Sequence, residues 1–522
     1  MNSIVNDKKL FTSSIPSSRG NSRVALIGFG STAYNHSIRS IAAYLRAQKY
    51  KVSIIQCLPE GGENIFLQLS ERQLELLKKH CEGMLAIGIS MLTTHYLNRA
   101  IQVNNYMNEK LSIPVVWGGV PVICDPEYYL NFADYVCTGE GEYFLSEFLK
   151  NMINGNNILE TKGLAYKKEG GGVATNGTLP TLDVNDIPLP LFDLKNHYYL
   201  KERLVSLEED PTPLFKQTSS RGYRVFPIRG CPFKCTYCSN NKLSQVFEGQ
   251  KILRKRTNDL IIEEISEARK IIPNITKIWF EEDDFFSRTD EELDGLAKAY
   301  KKHVDLPISI FITIKRLNGK RLDILKDNNI EIERVKIGLQ SASKRVNRDV
   351  YKRPFNAEEY ITKLTMLSKR KIPVLIDVIS DNPYEIKGDK LETINFYIKL
   401  LESIKNVKNA HKYMTYLDHK LMFYPGTELY YRAMNDGFIP KDYISKVLLT
   451  TTTVNRNSKT IDMDKVIIAL FRSSLKHKRI VFILKLMRKK LVFDLINNEV
   501  IRKGLFLALR LRNVWQNMVS IS

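Results

Sequence analysis

The strongest constraint on the fold is a repeated alternation of short apolar runs with segments of helical length. Between residues 23 and 150, strands are predicted at RVALIGF, KVSIIQ, MLAIGIS, IPVVWGG and DYVCTG, separated by segments such as HSIRSIAAYLRAQ. This rhythm is typical of right-handed βα units and predicts a doubly wound, five-stranded parallel sheet with helices on both faces. Ligands of such sheets bind at the carboxyl ends of the strands.

A second alternation begins at Tyr223, with strands predicted at YRVFPI, TKIWF, ISIFITI, ERVKIGL, VLIDVIS and HKLMFY. Six strands separated by helices favour a partial (β/α)6 barrel, which carries its chemistry at the strand C-termini. We therefore predict an α/β chain with a Rossmann-type domain and then a partial barrel. Its parts are an N-terminal extension (1–22), the Rossmann-type domain (23–150), a linker with a hairpin at LAYKKEGGGVATNG (151–222), the barrel (223–435) and a helical C-terminal region (436–522).

Three of the seven cysteines lie in GCPFKCTYCSNN, directly after the first predicted barrel strand. They are Cys231, Cys235 and Cys238, and no fourth Cys or His follows at the spacing of a structural zinc site. Three thiolates on a short loop suit a cubane iron-sulfur cluster that leaves one iron open to another ligand. The loop is therefore the first candidate for the catalytic site.

This CxxxCxφC pattern, with Tyr237 as the aromatic residue φ, resembles the motif of the radical S-adenosylmethionine (SAM) enzymes. The resemblance implies that the three cysteines bind a 4Fe-4S cluster and that Tyr237 lies beside the cofactors. It also implies that the open iron chelates SAM, which an electron from the cluster cleaves to a 5′-deoxyadenosyl radical. A chance match or a structural metal site is the rival interpretation.

Later segments resemble the same family. WFEEDDFF resembles its acidic segment, which makes Glu282 and Asp283 candidates to hold the ammonium group of SAM; the rival is an ordinary N-terminal helix cap. GLQSAS resembles its ribose- or carboxylate-binding segment, which implicates Gln340 and Ser341; the rival is a satisfied polar pair at a strand end. The segment at Asn382 departs from the family's glycine-rich form.

The first domain resembles cobalamin-binding domains through Ser90-x-Leu92, Gly118-Gly119 and the GEGE segment that contains Glu140. A corrinoid's nucleotide tail must slot between a sheet edge and a helix, so small residues let it approach and a hydroxyl group can bond to it. The resemblance makes these five residues candidates for binding cobalamin. The alternative is that the domain has lost cobalamin.

Cobalamin domains of the methionine-synthase type ligate cobalt through Asp-x-His-x-x-Gly after the first strand. Here that segment reads STAYNHSIR, with Tyr34 where the ligand would fall and His36 nearby. The resemblance is therefore to the radical SAM subgroup that lacks a protein histidine on cobalt. His36 is either a cobalt ligand or, as we expect, a helix N-terminal histidine satisfied by its neighbours.

The resemblance implies a cobalamin-dependent radical SAM methyltransferase that acts on an unactivated carbon, or phosphorus, of a small molecule or peptide. Its electron donor would be a one-electron reductant such as flavodoxin or ferredoxin. A radical SAM cyclase or rearrangement enzyme, with or without cobalamin, is an alternative. An RNA-modifying methylthiotransferase would need a second cysteine triad and a C-terminal β-barrel, which the sequence does not show. A non-enzymatic cobalamin sensor would leave the cysteines unexplained.

Charge is concentrated at the C-terminus. From Lys465 onward, thirteen Lys and Arg residues face two acids, so this segment carries more than half of the net charge of +21. It predicts a helical cap with a solvated basic face, an anionic partner or a peripheral membrane contact; nucleic acid is not expected.

The sequence shows neither a signal peptide nor a long apolar span, which predicts a cytoplasmic protein. The four cysteines outside the loop are expected to be reduced and buried: Cys57, Cys81, Cys124 and Cys137.

Overall fold

The structure is a computed structural model. It describes residues 22–30, 35–58, 66–216, 222–272, 274–407, 413–450, 463–473 and 475–519. Tyr34 and nearly all of the predicted N-terminal extension lie outside these residues.

The first alternation forms the predicted parallel sheet. Its strands are β1 (Arg23–Phe29), β2 (Lys51–Cys57), β3 (Ala86–Ser90), β4 (Val115–Gly118) and β5 (Tyr135–Cys137), in the order β5-β4-β3-β1-β2. Its helices are α1 (His36–Ala47), α2 (Glu71–Cys81), α3 (Leu97–Lys110), α4 (Val120–Cys124), α5 (Pro126–Tyr129) and α6 (Gly141–Asn154). The strands are almost wholly buried because helices cover both faces, which confirms the doubly wound arrangement.

The segment predicted as a linker extends this sheet. It contains β6 (Leu164–Lys167), β7 (Val173–Thr175), β8 (His197–Leu200), β9 (Leu204–Ser206) and α7 (Thr212–Lys216). The β6–β7 pair is the predicted hairpin, and β8 runs parallel to β2, so the sheet reaches nine strands. These strands are three or four residues long, too short to show a clear period in the sequence.

The second alternation forms a six-stranded parallel sheet in the order β10-β13-β14-β15-β16-β17. Its strands are β10 (Gly222–Val225), β13 (Lys277–Phe280), β14 (Ile308–Ile312), β15 (Ile332–Gln340), β16 (Val374–Ser380) and β17 (Met414–Lys420), and a separate short pair is formed by β11 (Ile228–Arg229) and β12 (Arg254–Lys255). Its helices are α8 (Ser239–Val246), α9 (Asn258–Ile271), α10 (Asp290–His303), α11 (Gly319–Asp327), α12 (Ala357–Lys369), α13 (Lys387–Ile404) and α14 (Glu428–Asn435). The α/β class is confirmed.

The sixth strand differs from its prediction at HKLMFY. The observed strand β17 is MTYLDHK, and Leu421, Met422 and Phe423 lie just beyond its end. These three side chains are buried in the apolar core of the first domain. The prediction was wrong because a contact between domains, rather than a strand, makes this run apolar.

The C-terminal region is helical, as predicted. It contains α15 (Met463–Arg472), α16 (His477–Met487), α17 (Lys490–Ile496) and α18 (Glu499–Val519). Helix α15 lies against β17, where Arg472 donates a hydrogen bond of 2.5 Å to the carbonyl of Tyr416. The described residues after β17 contain no strand, so the C-terminal barrel required by the methylthiotransferase alternative is not found there.

The two sheets share an apolar core. The cluster under β1, β3 and β4 continues into the segments that follow β15, β16 and β17, including Tyr351, Tyr384 and Phe423. Because these segments follow the carboxyl ends of the second sheet, the packing turns those ends towards the first domain. The predicted sites of both domains therefore lie near one interface.

Candidate functional site

The cysteine loop begins in a backbone conformation that requires glycine. Gly230 has φ = +93°, and a Cβ placed there would lie 2.0 Å from the carbonyl oxygen of Ile252. Cys231 follows directly, and Cys238 is the N-cap residue of α8. The loop thus runs from the short β11–β12 pair to a helix N-terminus, where unpaired amide groups favour negative charge.

Thr236, between two of the cysteines, fastens the loop to the second sheet. Its hydroxyl donates a hydrogen bond of 2.6 Å to the carbonyl of Val350, and its amide donates to the carbonyl of Tyr351. Its own carbonyl accepts from the amide of Leu429, at the start of α14. Tyr237 packs edge-on against Tyr351, with ring centroids 4.9 Å apart. The cysteine positions are therefore held by segments that follow β15 and β17.

The thiols share their surroundings with a buried cation. Nη1 of Arg353 lies 3.8 Å from Sγ of Cys235, and Nη2 donates a hydrogen bond of 2.8 Å to the carbonyl of Gly338. Arg353 has no carboxylate partner among the described residues, and its buried Nε has no hydrogen-bond partner there. Burial raises the pKa of Cys231 to about 12 and that of Cys238 to about 11, so the metal-free thiols are protonated at neutral pH. Binding iron would release these protons.

The two predicted acidic residues, Glu282 and Asp283, have different surroundings. Glu282 is buried and its carboxylate pairs with Arg288 at 2.7 Å, so it is already neutralised. Asp283 faces the cavity and accepts a hydrogen bond of 2.9 Å from Asn240, and burial raises its pKa to about 6. Of the two predicted partners for the ammonium group, Asp283 is the one whose geometry leaves it available.

The strand end at Gln340 is also unusual. Gln340 has φ = +63°, a rare conformation for a residue other than glycine, and it lines the cavity. Ser341 is buried instead, where its hydroxyl accepts from the amide of Ser343, so it matches the rival interpretation of a satisfied polar group. Asn382 is likewise turned inward and donates to the hydroxyl of Tyr351. Where the family has a glycine-rich segment, this chain therefore has a residue that bonds to its own Tyr351.

On the first sheet, Ser90, Gly118 and Gly119 all line the cavity at the carboxyl ends of β3 and β4. Gly119 has φ = +106°, and a Cβ there would lie 2.2 Å from the carbonyl oxygen of Met91, so only glycine fits. The side chain of Leu92 is 49% exposed and does not line the cavity. The hydroxyl and the two glycines therefore form the predicted cradle without Leu92.

His36 is the first residue of α1, after the N-cap Asn35, and it lines the same cavity. Its ring stacks on Phe226 at 4.6 Å, and its buried Nδ1 has no hydrogen-bond partner among the described residues. The helix-terminal position agrees with the prediction, but stacking rather than hydrogen bonding holds the ring. Burial, assisted by Arg39, lowers its pKa well below the usual value, so it is neutral at physiological pH.

Glu140 connects the domains rather than standing free. It accepts hydrogen bonds from Arg254 at 2.6 Å and from Arg229 at 3.2 Å. Arg229, two residues before Cys231, also pairs with Glu142 at 2.6 Å. These ion pairs join the start of α6 to the short β11–β12 pair, so Glu140 positions the cysteine loop relative to the first domain.

One cavity of about 730 Å³ joins these groups. The predicted site residues that line it are Ser90, Gly118, Gly119, Glu140, Cys231, Cys235, Tyr237, Cys238, Glu282, Asp283 and Gln340. It therefore runs from the carboxyl ends of the first sheet to the cysteine loop of the second domain. Both predicted cofactor sites face the same space.

The residues present fit an iron-sulfur cluster and a corrinoid. No group of three His, Cys, Asp or Glu side chains in the described part of the chain could hold a single metal ion. A cubane does not require this, because its cysteines bind different iron atoms and stand farther apart. The cation at Arg353 suits a negatively charged cluster, and Ser90, Gly118 and Gly119 present only small side chains or none to the cavity at the end of the first sheet, where a bulky ligand could approach.

Fold and site together define an α/β protein with a cysteine-ligated site at the ends of a parallel sheet. Comparison with known families agrees: residues 225–401 match the radical SAM superfamily and residues 22–149 match the B12 binding domain. The chain therefore contains a radical SAM domain and an N-terminal B12-binding domain. These domains imply a 4Fe-4S cluster, SAM and cobalamin as cofactors.

Two curated relatives are each 24% identical to this chain. An uncharacterized methyltransferase of Pyrococcus horikoshii matches over 319 residues, which is 60% of this chain and 64% of the relative. The anaerobic magnesium-protoporphyrin IX monomethyl ester cyclase of Synechocystis matches over 176 residues, 32% of this chain and 31% of the relative. The chain thus spans less than two thirds of the length of either.

Two solved structures share the fold. The radical SAM methyltransferase TsrM from Kitasatospora setae, solved with cobalamin and a 4Fe-4S cluster, has a TM-score of 0.58 at 12% identity, over 80% of this chain and 75% of TsrM. The cobalamin-dependent SAM radical enzyme OxsB, solved with aqua-cobalamin and SAM, has a TM-score of 0.64 at 17% identity, over 94% of this chain and 75% of OxsB. At this identity the likeness concerns the fold.

The sequence analysis missed Arg353, Arg229 and Thr236. Arg353 lies in YKRPF, thirteen residues after Gln340, and nothing in that segment alone marks it as facing a cysteine. The nearest signal for Arg229 was its place two residues before Cys231, in a chain whose GEGE segment offers carboxylates.

No helix of the described residues is long and apolar enough to cross a bilayer.

Proposed function

We propose that this protein is a methyltransferase that uses SAM and cobalamin to methylate an unactivated carbon, or phosphorus, of a small molecule or peptide. Bound together, the cluster and SAM supply radical chemistry, and cobalamin supplies a transferable methyl group. The observation that carries the proposal is the single cavity that exposes both the cysteine loop and the cradle at Gly119. The named methyltransferases TsrM and the Pyrococcus horikoshii relative support the same reading.

The chain's own residues position the cofactors. Cys231, Cys235 and Cys238 would hold three irons, and Arg353 would offset the negative charge gathered there. Asp283 would accept the ammonium group of SAM, and Gln340 would bond to its polar edge. Ser90 and Gly119 would receive the corrinoid's nucleotide tail. The apolar contacts between the domains would limit the entry of water at that side of the cavity.

The second sheet also offers polar groups that the cofactor assignments do not use. Lys336 and Asp377 line the cavity, lie 3.0 Å apart, and Lys336 stands over the ring of Phe311 at 4.6 Å. The buried Oδ1 of Asp377 lies 3.5 Å from Nε2 of His419 and makes no hydrogen bond of good geometry among the described residues. A buried acceptor whose nearest donor stands this far away is poorly satisfied, so we propose that the substrate supplies a closer donor, as an amine or hydroxyl group.

The decisive experiment is anaerobic. The protein is reconstituted with iron and sulfide, and its absorption spectrum is recorded with and without hydroxocobalamin. SAM and a chemical reductant are then added, and the products are quantified. We expect cluster absorbance, bound corrinoid, and both 5′-deoxyadenosine and S-adenosylhomocysteine. A Cys238→Ala variant should lack the cluster, whereas Cys81→Ala, in a buried thiol of the first domain, should keep it.

The outcome separates the alternatives. Bound corrinoid and deoxyadenosine without S-adenosylhomocysteine would reject methyl transfer and favour a cyclase or rearrangement enzyme. The similarity to the Synechocystis cyclase over 32% of the chain is the observation that keeps this second candidate. A cluster without corrinoid binding would reject the cobalamin part of the proposal.

A further inference from the structure

The outward face of the C-terminal helices is unusually apolar. Helices α16 and α17 pack inward through buried residues such as Leu484 and Phe493. This arrangement leaves Phe482 62% exposed, Leu491 76% and, on α18, Val500 77%. Among the described residues outside the tail, large apolar side chains are no more than 57% exposed. The surface therefore holds the chain's main concentration of exposed apolar groups.

The most exposed large apolar residue outside the tail, Ile386, lies beside the same surface. Ile386, at 57%, immediately precedes Lys387, whose ammonium group pairs with Asp494 of α17 at 3.0 Å. Ile386 thus lies at the margin of the tail. We call the outward side of α16, α17 and the first half of α18, with Ile386, the tail surface.

The tail surface is also positive. Its two acids are both paired, Asp494 with Lys387 and Glu499 with Lys503 at 2.7 Å. The exposed cations with no acidic partner among the described residues are Lys476, Lys478, Arg479, Arg488, Lys489 and Lys490, of which Arg488 donates to the side-chain oxygen of Asn395. Apolar groups surrounded by unpaired cations match an anionic lipid surface, where the side chains insert and the cations bind headgroups.

We propose that the tail surface docks this protein on an anionic membrane, with Phe482, Leu491 and Val500 inserted at the headgroup boundary. A second copy of the chain is a poorer partner, because it would bring the same positive charge. A protein partner would need matching pockets for side chains that stand on three separate helices, whereas acyl chains adapt to any spacing. This proposal goes beyond the proposed reaction and does not depend on it.

The test uses the full-length protein and sedimentation with extruded vesicles. One set is pure phosphatidylcholine, and the other contains phosphatidylglycerol as the minor lipid. We expect binding to the mixed vesicles at low salt, weakened at high salt, and none to phosphatidylcholine. Reversing two surface cations, Lys489→Glu with Lys490→Glu, should lower the partition constant by about 25-fold or more, since each cation near such a surface counts for about fivefold.

Matched control variants test whether binding depends on the tail surface or only on the total charge and hydropathy of the protein. Lys302→Glu changes an exposed cation on α10, and Val173→Ser changes an exposed apolar residue of β7; both should bind like the wild type. Leu491→Ser with Phe482→Ser should weaken binding at every salt concentration. An unchanged urea denaturation midpoint shows that each variant is folded.

Three results would overturn the proposal. The first is a wild-type protein that ignores phosphatidylglycerol vesicles. The second is binding that the tail variants do not change. The third is a dimer in sedimentation velocity that Leu491→Ser dissociates, which would assign the surface to a second copy.

Discussion

Replacing Arg229 with methionine should loosen the contact between the two domains. Arg229 pairs with Glu142 at 2.6 Å, and the carboxylate also accepts a hydrogen bond from Ser40 at 2.6 Å. The Glu142 side chain is only 5% exposed. Burial alone would raise its pKa, but Arg229 and Ser40 hold the pKa below its usual value. Without Arg229, a buried carboxylate loses its countercharge.

Breaking a buried ion pair from one side costs about 3–5 kcal/mol. We expect the lower end, about 3 kcal/mol, because Arg229 itself is 24% exposed and water can reach the gap. That corresponds to roughly a hundredfold change in the equilibrium constant. Since Arg229 lies two residues before Cys231, the variant should also take up less iron on reconstitution.

The assay is urea denaturation of the single variants Arg229→Met and Glu142→Gln and of the double variant. The double variant should recover much of the loss, because no buried charge is left unpaired. The control is Arg203→Met, which breaks the exposed pair with Glu209 and should cost less than about 1 kcal/mol. If Arg229→Met costs the same with Gln at position 142 as with Glu, the ion-pair argument is refuted.

Three further predictions concern single residues. Gly119→Ala should abolish corrinoid binding in a spectroscopic titration, because a Cβ would lie 2.2 Å from the carbonyl oxygen of Met91 and force the cavity-lining turn after β4 to move; normal binding by the folded variant would show that this turn does not hold the corrinoid. Arg353→Met should weaken SAM binding by about tenfold or more in equilibrium dialysis of the reconstituted protein, through the loss of a charge-assisted contact, whereas an unchanged affinity would assign the cation to structure alone. His197 is fully buried, both its ring nitrogens lack hydrogen-bond partners among the described residues, and burial lowers its pKa to about 3. The unfolded chain protonates this group near its usual pKa and the folded one does not, so stability is complete above that pKa and falls as the pH drops towards 3. The loss is about 2 kcal/mol between pH 7 and pH 5, and His197→Leu should remove it in paired urea titrations.

Local pattern was enough to predict much of this protein. Strand periodicity and helix-length spacing depend on neighbouring residues, so both parallel sheets could be predicted, as could the place of the cysteine loop after the first strand of the second alternation. The spacing of Cys231, Cys235 and Cys238 is also local, since a nine-residue loop determines which thiols can share a cluster. Gly118 and Gly119 were implied by the resemblance to cobalamin-binding domains, and they lie at the carboxyl ends of parallel strands, where ligands bind.

Packing between distant segments decided the rest. Glu140 meets Arg254 across 114 residues, and Arg353 meets Cys235 across 118, so neither contact leaves a signature in its own segment. The run LMFY looked like a strand because the first domain, not a sheet, buries it. Two details within single segments were also not predicted: the side chain of Leu92 is exposed, and Glu282 pairs with Arg288 six residues later. Sequence determined the two sheets and the chemistry of the cysteine loop, whereas tertiary structure decided that they open into one cavity, because only docking of the two domains places both carboxyl edges around the same space.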